Sequence, residues 1–110
     1  MICYVNSKDR TEIKRIIAQQ KEETSVLFAN SIEELKEFLG SNECSPVVLS
    51  IGKAGQRWKQ VLEVIKDNPK STFYFTEKYT SMSFGEIGLR MEENSNKPMA
   101  PIKFILSSIL

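Results

Sequence analysis

Pro46-Val47-Val48-Leu49-Ser50-Ile51, followed by Gly52-Lys53-Ala54-Gly55, is the stretch on which the fold of this chain turns. Pro46 opens the run, and the branched side chains behind it show no polar alternation. A strand of this kind is buried on both faces, as in a parallel sheet covered by helices. Parallel neighbours need crossover connections, so helical segments are expected on either side of it.

They are present in both directions. Upstream, Ile2-Cys3-Tyr4-Val5 reads as a buried strand followed by a helix cap at Asn6-Ser7, and the helix after it carries Ile13, Ile16 and Ile17 on one stripe. Asp9 and Glu12 stand at capping-box spacing. Residues 25–29, centred on Val26-Leu27-Phe28, form a second strand. Ser31-Ile32-Glu33-Glu34 is a second capping box, backed by an apolar face of Ile32, Leu35, Phe38 and Leu39, with Gly40 as a left-handed stop. Downstream of the Gly52–Gly55 loop, Trp58, Val61, Leu62 and Ile65 mark a third helix that Asn68-Pro69 ends. Residues 72–76 are a fourth strand. Four strands separated by three amphipathic helices give an α/β fold with right-handed crossovers and strand order 2-1-3-4.

The last third is less regular. Ile87, Leu89 and Met91 alternate and read as a fifth strand over residues 86–91, although Phe84, Ile87 and Met91 also fit a short helix. Gly85 and Gly88 weigh against the helix. Only residues 77–85 then join the fourth and fifth strands, too few for a full crossover helix, so the fourth helix is expected to be shortened or irregular. Asn94-Ser95-Asn96 is a turn. Pro101 can start a last helix, with Ile102, Ile105, Leu106 and Ile109 on one stripe.

Composition bounds the function. The chain has 110 residues and 41% apolar side chains, enough for one small core, so residues 1–110 are read as a single domain. Fifteen basic against fourteen acidic residues give a net charge of +1, which excludes a strongly basic nucleic-acid binder; no direct nucleic-acid contact is expected. There is no histidine, which removes imidazole metal sites and His-based nucleophile activation. Cys3 and Cys44 form no CxxC pair and no disulfide framework. No apolar run approaches a membrane span and the first residues lack a signal-peptide pattern, so a cytoplasmic location is expected, with no membrane contact, metal or cofactor.

In parallel sheets, function collects at the carboxyl ends of the strands. Here those positions are Asn6-Ser7, Asn30-Ser31, residues 50–55 and Thr76-Glu77. Their order and spacing resemble the receiver domain of bacterial two-component response regulators along nearly the whole chain. The resemblance implies a flavodoxin-like three-layer sandwich with a five-stranded, mainly parallel sheet in order 2-1-3-4-5. In that family two acidic residues end the first strand, where this chain has Asn6 and Ser7. A phosphorylated aspartate ends the third strand, where Ser50 stands. Thr76 matches the switch hydroxyl of the fourth strand, and Lys97-Pro98 resembles the family's Lys-Pro pair.

The three carboxylates that would accept phosphate and hold Mg²⁺ are thus replaced, and Lys53 adds a positive charge beside them. No carboxylate near Ser50 is evident to activate its hydroxyl. The resemblance therefore implies a pseudo-receiver with a degenerate phosphorylation site at Asn6, Ser7, Ser50, Thr76 and Lys97. It would be a non-catalytic module of signal transduction or transcription regulation, acting through a protein partner or as a homodimer. It would form the N-terminal part of a longer regulator with a C-terminal output domain. Tyr79, Met82, Phe84, Met99 and Ile102 are the expected interface residues. Two alternatives remain open: a phosphoserine-switched domain using Ser50, and a small phosphocarrier enzyme using Cys3. The Lys53, Arg57, Lys59 group reads as a solvated helix face, and Trp58 as core or core edge.

Overall fold

The computed structural model describes residues 1–76 and 102–110. Four strands, β1 (Ile2–Tyr4), β2 (Leu27–Phe28), β3 (Val47–Ser50) and β4 (Phe73–Thr76), form a sheet in the order β2-β1-β3-β4. Every adjacent pair is parallel, with Ile2 opposite both Leu27 and Val47, and Ser50 opposite Thr76. The expected fifth strand and shortened fourth crossover fall outside the described residues.

Strand alternation divides the core into two layers. Ile2, Tyr4, Val47, Leu49, Phe73 and Phe75 face one side, where they pack on Ile32, Leu35 and Leu39 of α2 (Ile32–Ser41) and on Val61, Val64 and Ile65 of α4 (Trp58–Asp67). Cys3, Val5 and Val48 face the other side, against Ile13 of α1 (Ser7–Ala18) and Ile102, Ile105 and Leu106 of α5 (Ile102–Ile109). All four residues of β3 are buried, which is the two-sided burial its sequence demands. Trp58 packs at the margin of the first layer, as its spacing indicates.

Several local boundaries differ from the sequence reading. The N-cap of α1 is Asn6, within the Asn6-Ser7 cap that the sequence indicates; its side-chain oxygen accepts the Asp9 N–H, so the Asp9–Glu12 spacing does not form the cap. Gly40 does not stop α2, which runs on to Ser41. The one non-glycine residue with positive φ among those described is Cys44, at 66° in the loop that follows. The Gly52–Gly55 segment is not an open loop. α3 (Ile51–Ala54) starts directly after β3 and a 3₁₀ turn at Gly55–Arg57 leads into α4. Ala54 and Gly55 are buried there, so the chain tightens into helix under the sheet edge. Cys3 and Cys44 are both free thiols, one buried and one exposed.

Candidate functional site

The carboxyl edge of the sheet brings together the ends of β1, β3 and β4 with the first turn of α1. Asn6 fixes that turn through its 2.8 Å bond from the Asp9 N–H, and its carbonyl accepts the Arg10 N–H at 2.9 Å. The cap places Asp9 at the third helical position, where the positive end of the helix dipole favours a carboxylate. Strand alternation does the rest. Ser50 lies two residues beyond Val48, and Thr76 two beyond Tyr74, so both hydroxyls point to the face that α1 covers.

The three side chains meet. The Ser50 hydroxyl donates to Asp9 Oδ2 at 2.6 Å, and the Thr76 hydroxyl donates to the same oxygen at 3.1 Å. The Asn6 N–H donates to Ser50 Oγ at 3.0 Å, which leaves the Ser50 proton directed at the carboxylate. Asp9, Ser50 and Thr76 are each 0% exposed. The expectation that no carboxylate lies near Ser50 is therefore overturned: Asp9 reaches the strand ends from α1. Its signal was in the sequence, because Asp9, Ile13 and Ile16 stand at i, i+4, i+7, which puts a charge on the buried stripe.

The other site residues fare differently. Asn6 is a helix cap, Ser7 is exposed at the start of α1, and Lys97 lies outside the described residues. Lys53 does not join a solvated face with the exposed Arg57 and Lys59. Its ammonium sits 4.6 Å from the centre of the Tyr4 ring and 3.5 Å from the Val5 carbonyl. Burial pushes its pKa down, Arg10 nearby pushes in the same direction, and Glu34 opposes both. Arg10 bonds Asn30 Oδ1 at 3.2 Å and lies 4.6 Å over the Phe28 ring. Ser31 caps α2 by accepting the Glu34 N–H at 3.2 Å, while the Glu34 carboxylate accepts the Asn30 N–H at 3.3 Å.

A hydroxyl bonded to a carboxylate is the geometry of an activated nucleophile, but here both groups are sealed from solvent. Among the described residues, no cluster of three or more His, Cys, Asp or Glu could hold a metal ion. Cys3 sits mid-strand with its pKa pushed up to about 12, chiefly by burial, and so stays a thiol at neutral pH. Of the expected interface residues, Tyr79, Met82, Phe84 and Met99 lie outside the described residues. Ile102 is 1% exposed in the second core layer and presents no surface; the exposed apolar side chain of α5 is Phe104 instead. Among the described residues, no helix is long and apolar enough to cross a membrane. No family model, no curated protein and no solved structure matches this chain.

Proposed function

We propose that this chain is a non-catalytic, phosphorylation-independent regulatory module of receiver-like, five-stranded architecture, acting in the cytoplasm through protein–protein contact or self-association. The observation that carries the reading is the Ser50–Asp9–Thr76 node. In the family that the sequence resembles, the third strand ends in a carboxylate that accepts phosphate beside a Mg²⁺ ion, which needs further oxygen ligands. In this chain the equivalent strand end is a buried hydroxyl already bonded to Asp9. Thr76 is opposite Ser50 in register, as a switch hydroxyl would be, and it too is engaged by Asp9.

The same geometry weighs against the alternatives. A kinase would have to unpack the edge of the sheet to reach Ser50. A Cys3 phosphocarrier would need a thiolate, which burial suppresses. Titration of the ¹⁵N-labelled chain with Mg²⁺ and beryllofluoride tests the proposal. The expected outcome is no saturable shift at Ser50 or Thr76; saturable, Mg²⁺-dependent shifts at those amides would overturn it.

A further inference from the structure

We propose that the carboxyl edge of the sheet contains a small-carboxylate binding site that the chain fills with its own Asp9. The donors do not depend on Asp9 for their placement. Ser50 and Thr76 end adjacent strands and are paired in register, so the sheet itself sets their separation. Neighbouring strands lie about 4.8 Å apart, which lets two hydroxyls on the same face straddle one oxygen atom. Both bonds here converge on Asp9 Oδ2, at 2.6 and 3.1 Å. The Asn6 N–H occupies Ser50 Oγ as an acceptor and so orients its proton toward the site.

The surroundings also suit an anion. The site lies against the first turn of the twelve-residue helix α1, whose positive end faces it. Carving away the Asp9 side chain leaves two buried hydroxyls without their acceptor in a polar space shaped by a carboxylate, and burying unmatched polar groups is unfavourable. A formate ion restores the missing oxygens. In the native chain the tethered carboxylate outcompetes any free anion, because its effective concentration is that of an intramolecular ligand. The inference rests on this geometry and not on the regulatory reading.

The test uses the full 110-residue chain and thermal unfolding in formate, acetate or chloride at matched ionic strength. Asp9→Ala should melt below wild type and regain stability saturably with formate. The expected rise is about 5 °C at about tenfold excess over the dissociation constant. Chloride should not reproduce it, wild type should show no formate-specific rise, and Asp9→Ala combined with Ser50→Ala should lose the response. If Asp9→Ala does not fold in buffer, formate-driven recovery of its far-ultraviolet circular dichroism becomes the readout, with Asp9→Ser as the second variant. The proposal is overturned if formate and chloride act alike on both variants. An equal formate response in wild type, or its survival in the Ser50→Ala background, would also overturn it. Beryllofluoride binding by wild type would count against the regulatory reading alone, since it concerns a different protein and ligand.

Discussion

Asp9 reaches the sheet because it stands one turn into α1, where the Asn6 cap holds its backbone and the side chain can lean back over the ends of β3 and β4. Hydrogen bonds to a charged group contribute about 1.5–3 kcal/mol, so Ser50→Ala and Thr76→Val should each destabilise by about that much. Because the two hydroxyls share one oxygen, the double variant should depart from the sum of the singles in urea unfolding. Strict additivity would show that the node is not one unit. Cys3 supplies a second residue-level prediction. Its folded pKa of about 12 exceeds the ordinary value of 9.0, so between those limits the unfolded chain holds fewer protons than the folded one. Stability from this group is present below pH 9 and is lost progressively as pH rises from there toward about 12. Cys3→Ala should lose this part of the pH dependence, while the contributions of Tyr4 and Lys53 remain. At pH 8 a thiol reagent should label Cys44 rapidly and Cys3 only on unfolding.

At the scale of elements, α2 shows how context overrides a stop signal. Gly40 has no positive φ and continues as helix, and a Cβ built there meets nothing within 4 Å. Gly40→Ala should therefore stabilise the chain by about 0.5–1 kcal/mol, through helix propensity and reduced freedom of the unfolded state. Chemical denaturation measures the gain; a loss of stability would mean that the turn after α2 depends on glycine after all. The start of α3 illustrates the opposite case. Ser50 occupies the N-cap position yet makes no side-chain cap bond, because its oxygen accepts the Asn6 N–H while its proton is directed at Asp9. The site thus takes an oxygen that would otherwise serve the helix, and α3 is short and passes into a 3₁₀ turn before α4 begins.

For the whole molecule, α1 and α5 cover one face of the sheet and α2 and α4 the other. Among the described residues both layers are mainly apolar, with the buried Asp9, Ser50 and Thr76 at the carboxyl edge of the face that α1 covers. Against that background Phe104 stands out, 65% exposed on α5 while Ile102, Ile105 and Leu106 turn inward. An exposed aromatic ring on a helix is the kind of group that anchors an interface core. Sedimentation should find the wild-type chain self-associating with rising concentration, and Phe104→Glu folded but shifted toward monomer. A chain that stays monomeric throughout would remove self-association and leave a different protein as the partner.

The sequence by itself determined the order of the four described strands with α1, α2 and α4 between them, their parallel pairing and the two-sided burial of β3, but not α3, which it read as a loop. These follow from local periodicity: a solid apolar run has no wet face, a stripe at helical spacing has one, and parallel strands need crossovers. The site was legible only in part. Ser50 and Thr76 could be placed at adjacent strand ends, and the isoleucine stripe marked the buried side of α1. What periodicity cannot give is the partner. Asp9 meets Ser50 across 41 residues and Thr76 across 67, and those encounters depend on the crossover bringing the first turn of α1 over the sheet edge. Likewise Lys53 reads as a surface charge until Tyr4 and the Val5 carbonyl are brought beneath it. Tertiary structure decided these outcomes because a buried charge is tolerated only where distant donors, rings or dipoles converge on it.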